Sequence, residues 1–271
     1  MHACDFEYDG LYLSDFGFII CRFDNASDIE SVNPGSQITF NTVSRNRGKK
    51  HSLTGTKYDD CIEASFDICK DPSSHSDLRI TDNEYRDLMR WLNRNNFCKF
   101  SIIDDENIEM EPRYYNASFN IEKYKVDDIL YGLNLSMTTD APFGYGAERI
   151  IRFDIEDVSK SYTIIDTSDE IGYIYPSVII TCKSEGTLLI HNDKEDCTME
   201  IKGCKSGEVI SIDGNALIPR SSDKEHKICN DFNFEFLKIG NTFNDRVNRI
   251  TVNLPCKLEI RYTPIIKDSP N

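Results

Sequence analysis

Positive charge is scarce in this chain. Its 271 residues include 31 lysines and arginines against 46 aspartates and glutamates, a formal net charge of −15. A surface of that sign repels polyanions, so specific nucleic-acid binding is not expected, nor is adhesion to an anionic membrane. Long apolar runs are missing too. The longest, such as Ser177 to Thr181 (SVIIT), have strand length and fall far short of the roughly 20 residues that a membrane-spanning helix needs. The opening MHACDFEYDG lacks both the basic start and the apolar stretch of a secretory signal, so synthesis in the cytoplasm is expected. Only 9 prolines and no internal repeat argue against a fibrous chain, while 39% hydrophobic and 11% aromatic residues suit well-packed cores.

Groups that converge for chemistry are few. Ten cysteines, at positions 4, 21, 61, 69, 98, 182, 197, 204, 229 and 256, form no C-x-x-C pair, which removes the basis for a zinc ribbon or a dithiol redox motif. Reduced thiols are expected. Cys61 and Cys69 lie eight apart on an alternating stretch, a spacing that puts both on one strand face as small hydrophobes. The five histidines, His2, His51, His75, His191 and His226, make no H-E-x-x-H and no i, i+4 pair, and no G-x-S-x-G elbow is present. Gly144-Tyr-Gly146 lacks the rest of a phosphate loop. Forty-six acids guarantee carboxylate pairs without singling one out for glycoside hydrolysis. No catalytic, cofactor-binding or metal-ligating residue is assigned, no cofactor is expected, and the chain does not read as an enzyme.

What is present is β-pattern with one helix. Thr81-Asp-Asn-Glu84 makes a capping box ahead of an apolar stripe at Tyr85, Leu88, Met89 and Leu92, with Asn95 and Asn96 suited to a stop. Trp91, the only tryptophan, reads as a packing residue at the edge of that stripe. Period-two alternation predicts half-buried antiparallel strands over 61–69, 118–124 and 130–137. A hairpin is predicted from 99–103 and 108–110 around the acidic turn 104–107, whose residues Asp104, Asp105 and Glu106 serve backbone geometry rather than a metal.

The pattern breaks near Thr139-Asp-Ala-Pro-Phe-Gly-Tyr-Gly146. Two domains are therefore expected, 1–142 and 143–271, which suits the length. The second block reads as short strands over 174–182, 186–191, 197–202, 208–213 and 256–262, separated by polar or glycine turns and without helices, as in a β-sandwich. The fold class is mainly β throughout.

Two segments stand out as binding candidates. Between Asp24 and Lys57 the alternation weakens into a polar stretch carrying Arg45, Arg47, Lys49 and Lys50, a local positive charge that could meet an acidic patch on a neighbouring copy, or simply form a solvated loop. Tyr173 and Tyr175 fall on one face of a strand, and Phe232, Phe234 and Phe236 repeat that spacing; such rings stack on sugars or fill a core or interface.

The order of these elements resembles a known family. Phe6-Glu-Tyr-Asp-Gly-Leu-Tyr-Leu-Ser-Asp-Phe-Gly-Phe18, then strands, the capped helix with Trp91-Leu92, a hairpin, Pro112-Arg-Tyr-Tyr115 and the strand ending at Asp140-Ala-Pro142 resemble the N-terminal half of the siphophage distal tail proteins. Gly186 to Ile190, Glu208 to Gly214, Phe236 to Asn241 and Asn248 to Val252 are similar to their second half, so the resemblance spans nearly the whole chain. It implies an N-terminal β-sandwich-like domain with one helix that closes a hexameric ring, and a C-terminal galectin-like or carbohydrate-module-like β-sandwich at the periphery. It further implies a structural protein of the virion tail tip, assembled in the host cytoplasm. Its partners would be the tail tube protein, the tail-associated hub protein and a receptor-binding protein, with the segment 24–57 as an inter-subunit arm. The reading from the residues leaves rivals open: a carbohydrate-binding adhesion module, then another tail-tube or baseplate subunit, and an enzyme as a distant third.

Overall fold

The computed structural model describes residues 5–23, 38–45, 50–58, 61–103 and 112–267. Strands dominate, and the chain divides into two compact units, Met1–Gly146 with Ile266–Asn271, and Ala147–Ile265.

The first unit is built on a seven-stranded antiparallel sheet ordered Leu11–Tyr12, Asp5–Tyr8, Cys98–Ile103, Tyr115–Val126, Ile129–Thr139, Glu63–Lys70 and Phe18–Cys21. Alternation along these strands turns Phe6, Tyr8, Phe100, Tyr115, Phe119, Leu133, Leu135 and Met137 into one buried cluster. The helix Asp82–Leu92 closes it with Leu88, Trp91 and Leu92. The expected capping box forms: the Glu84 N–H donates to the Thr81 hydroxyl at 3.4 Å and the Glu84 carboxylate accepts from the Thr81 N–H at 2.7 Å. The helix stops earlier than expected, at Asn93, whose N–H caps the Met89 carbonyl. Trp91 is 3% exposed, a core residue rather than an edge one. A two-residue turn at Asp127–Asp128, both with left-handed backbone (φ 48° and 63°), makes the two longest strands a hairpin.

One strand-face expectation is corrected here. The buried face of Glu63–Lys70 carries Ile68 and Lys70, with Ala64 and Phe66 partly buried, so Cys69 lies on the opposite face and Cys61 precedes the strand. Cys98–Ile103 finds its partners in Asp5–Tyr8 and Tyr115–Ala117; the turn 104–107 and residues 108–110 of the expected hairpin lie outside the described residues.

The second unit is a β-sandwich. One antiparallel sheet runs Arg149–Ile155, Cys256–Tyr262, Ser177–Cys182, Val209–Asp213, Ile218–Ser221, and the other Ser161–Ile165, Val247–Val252, Gly186–Asn192, Cys197–Cys204. Every second residue of both, among them Val178, Ile180, Leu188, Ile190, Met199, Ile201, Ile210, Ile212, Ile250, Val252, Leu258 and Ile260, enters one shared core. The expected strand over 174–182 is two strands, Gly172–Ile174 and Ser177–Cys182, divided at Tyr175–Pro176. The block also contains a one-turn helix, Ile228–Asp231, where no helix was expected.

Candidate assembly surface

The basic segment forms a β-hairpin rather than a polar loop. Ile38–Arg45 pairs with Lys50–Tyr58, and among the described residues this ribbon joins no other sheet. Thr, Asn and Ser between the apolar residues hid the alternation from sequence reading. A bulge at Thr54, whose hydroxyl donates to the Asn41 carbonyl at 3.0 Å, shifts the register so that the hairpin becomes two-faced. Ile38, Phe40, Leu53 and Tyr58 share one face, while Arg45, Lys50, Lys57 and Val43 share the other.

The apolar face is bare, with Phe40 61% and Leu53 58% exposed. Tyr58 anchors its base, meeting the Phe143 ring edge-on at 6.2 Å, with the Lys267 ammonium 5.7 Å from the Tyr58 ring centre. A two-stranded ribbon with an uncovered apolar face and free edges is marginal alone and becomes stable when another surface covers it. Its charge points to the kind of surface. From Ile38 to Tyr58 there are five basic residues and no acidic one, so the rest of the chain carries −20 against −15 for the whole.

Of the four expected arm residues, Arg45 and Lys50 are cross-strand partners at the hairpin's distal end, both exposed, and Arg47 and Lys49 lie outside the described residues, as does 24–37. Sequence reading found the charge and missed the apolar residues Ile38, Phe40 and Leu53.

A second apolar tip belongs to the hairpin Tyr115–Thr139, where Val126 is 62% exposed beside Tyr124 and Ile129. Phe23 packs on Tyr124 with ring centres 5.0 Å apart.

Tyr173 and Tyr175 are brought together, edge to face at 5.4 Å, with the Lys238 ammonium 4.8 Å from the Tyr173 ring centre and Phe236 packed on Tyr175. A hydrogen bond with the Tyr173 hydroxyl, more than burial, raises the Tyr175 phenol above its ordinary value. The phenylalanine spacing does not make a strand face. Phe232 is buried, Phe236 packs against the core, and Phe234 is exposed on left-handed backbone (φ 57°). Among the described residues no three histidine, cysteine, aspartate or glutamate side chains cluster as metal ligands, the nine described cysteines are free thiols, and no helix is long and apolar enough to cross a membrane.

Comparison with known proteins bears on this architecture. Residues 1–141 match the model of a phage tail protein N-terminal domain, and residues 143–262 that of a phage tail C-terminal domain. No curated protein matches the sequence. Among solved structures, the Dit protein of phage SPP1, described as a paradigm of the hub adsorption apparatus in phages that infect Gram-positive hosts, superposes with a TM-score of 0.65 at 10% identity, over 96% of this chain and 98% of that one. A chain of the phage P2 baseplate in its activated conformation with calcium gives 0.44 at 9% identity, over 95% and 97%. Both domain models in order, covering nearly the whole chain on a Dit-like fold, show that the protein belongs to this phage tail protein family.

Proposed function

We propose that the protein is an architectural, non-catalytic subunit of the tail tip of a long non-contractile phage or prophage tail, forming a hexameric ring that joins the tail tube to the tail hub and anchors host-recognition proteins. Residues 1–142 close the ring, and residues 143–271 form a peripheral, galectin-like module.

The bare apolar face of the hairpin Ile38–Tyr58 carries this reading. Phe40 and Leu53 are exposed on a ribbon that, among the described residues, pairs with no other sheet of its own subunit, and its charge is opposite to that of the remaining chain. A ring repeats one heterologous contact until it closes, and a basic arm laid on the acidic body of the next copy meets that demand. Light scattering over a range of concentration and salt tests it. A hexamer or dodecamer is expected, and Phe40→Ser with Leu53→Ser reduces it to monomers with unchanged circular dichroism. A monomer under every condition, or an oligomer indifferent to both substitutions, counts against the arm.

The Tyr173–Tyr175 pair supports a second reading, a carbohydrate-binding adhesion module, since the Tyr173 ring is 50% exposed beside the half-buried Tyr175 and an exposed aromatic face can stack on a sugar. Glycan binding that Tyr173→Ala abolishes in a stable monomer favours that reading.

A further inference from the structure

The second unit contains a buried acid–base pair that neither the assembly surface nor the aromatic pair uses. The side chains of His226 and Glu208 are 3% and 1% exposed, and His226 Nδ1 lies 2.6 Å from Glu208 Oε1. Glu208 sits just before the strand Val209–Asp213, whereas His226 belongs to the connection leading into the one-turn helix Ile228–Asp231. The pair therefore ties a connection to the sandwich.

The carboxylate is otherwise well supplied with donors. The Ser221 hydroxyl donates to Oε1 at 2.5 Å and the Lys205 N–H to Oε2 at 2.9 Å. A carboxylate so bonded stays ionised and obliges His226 Nδ1 to carry its proton as a donor. That leaves Nε2 to decide the charge of the ring. Among the described residues Nε2 is buried without a hydrogen-bond partner, and the Asp231 carboxylate faces it, its Oδ2 3.6 Å away at the end of the helix. A neutral ring presents Asp231 with a lone pair facing an anion. A cationic ring presents an N–H, which the carboxylate attracts.

We propose that His226 is a proton-operated latch whose doubly protonated form ties Glu208 to Asp231 and holds the segment Asp223–Asp231 against the sandwich, and whose deprotonation releases the Asp231 end. The segment is built to respond locally. Downstream, Phe232 is buried and the Asn233 side chain bonds the strand Cys197–Cys204 through Glu200 N and Thr198 O, which fixes one end. Upstream, Asp223 is held by the Ser221 hydroxyl and by Lys205. Between these anchors, Ile228 and the ring of His226 are the buried side chains.

The other titratable groups facing the ring favour its charged form. Burial pulls His226 down, but Glu208, Cys204 and Asp231 outweigh it and leave the imidazole above its ordinary value of 6.5. Glu208 is pulled up by burial, yet the Ser221 hydroxyl, His226 and the Lys205 N–H hold it below 4.5. Asp223, which also feels His226, is held down by Lys205. A histidine raised on folding contributes stability that is complete below 6.5 and lost as pH rises through the raised value. A carboxylate depressed on folding contributes stability present above 4.5 and lost as pH falls through the lowered value. The latch is closed between those limits and opens on the alkaline side.

Hydrogen exchange of the full-length protein at about pH 6, 7.5 and 9, corrected for intrinsic rates, tests the latch. Protection of peptides spanning 223–231 is expected to fall about tenfold toward alkaline pH, as for one proton lost from a charge-assisted contact. Peptides from Ser177–Cys182 should not change. Asp231→Asn is the decisive variant, because its carboxylate is 40% exposed and an amide can turn to donate to the neutral Nε2. It should flatten the pH dependence and lower the midpoint of the His226 ring-proton titration followed by NMR. Equal protection at all three pH values in the wild-type protein overturns the latch, and so does a pH dependence that Asp231→Asn leaves unchanged.

Discussion

The Trp91 indole N–H donates to the Tyr8 carbonyl at 2.8 Å, joining the helix to the first strand across 83 positions of sequence. The ring is also stacked between Phe6, 5.6 Å away at an interplanar angle of 11°, and Phe16, 4.5 Å away at 15°. The single tryptophan is thus the bolt by which the only long helix among the described residues closes the aromatic core.

Removing that bolt has two separable costs. Trp91→Phe keeps a ring and loses the donor, which should cost on the order of 1–3 kcal/mol. Trp91→Ala also opens a cavity between Phe6 and Phe16 and should cost roughly 3–5 kcal/mol. Equilibrium urea unfolding followed by circular dichroism measures both. Equal costs for the two would show that stacking contributes nothing beyond the hydrogen bond.

The helix and the sandwich were legible because each is written locally. Thr81 and Glu84 satisfy each other's backbone three residues apart, and alternation such as that of Val178, Ile180 and Cys182 reports a buried face directly. The place of Trp91 was not, since burial at the stripe's edge depends on Tyr8 and Phe16, which only the tertiary fold brings near. The hairpin Ile38–Tyr58 was half legible. Charge at Arg45 and Lys50 shows in any sequence, but the shared face of Phe40 and Leu53 depends on the bulge at Thr54, without which one of them would point the other way. His226 carried no local signal, because its partner Glu208 is 18 positions away and belongs to another element.

Two glycines of the second unit should respond very differently to one added methyl. A Cβ on Gly214 would lie 2.3 Å from the Tyr175 carbonyl oxygen and under 3 Å from Pro176 and Ser177 backbone atoms. Backbone cannot step aside without moving the Tyr173–Tyr175 pair, so Gly214→Ala should cost about 1–3 kcal/mol. A Cβ on Gly240 would first meet the Glu195 side chain, from its carboxylate oxygen to its Cγ at 3.0 Å, a flexible group that can swing out, so Gly240→Ala should cost under about 1 kcal/mol. Thermal unfolding of the two variants side by side decides it. A larger loss for Gly240→Ala would mean that Glu195 is fixed by something stronger than its own rotamer.

Acid should loosen the first unit through Glu84. Burial pulls this carboxyl up, but Lys70, 2.7 Å away and nearly buried, and the Thr81 N–H and hydroxyl hold it below 4.5. Its contribution is therefore present above 4.5 and lost as pH falls through the lowered value. Glu84→Gln should remove that acid limb and cost on the order of 1 kcal/mol at neutral pH, a modest figure because the carboxylate is partly exposed and screened. Unfolding curves at about pH 3 to 7 should converge for the two proteins at the acid end. Parallel curves would place the acid sensitivity elsewhere.

Charge at the tip of the arm offers a test separate from its apolar face. Arg45 and Lys50 oppose each other across the ribbon in a chain whose remainder is strongly acidic. If the tip seats on an acidic neighbour, Arg45→Glu with Lys50→Glu turns attraction into repulsion while leaving Phe40 and Leu53 in place. Dissociation should increase steeply at low salt and approach the unmodified protein near 1 M, where the screening length shrinks to about 3 Å. Phe40→Ser with Leu53→Ser should behave in the opposite way, dissociating at every salt concentration, since apolar burial is not screened. Light scattering or sedimentation across a salt series distinguishes the two patterns. Charge reversal that weakens assembly equally at all salt concentrations would show that Arg45 and Lys50 make close, desolvated contacts rather than steering the arm from solvent.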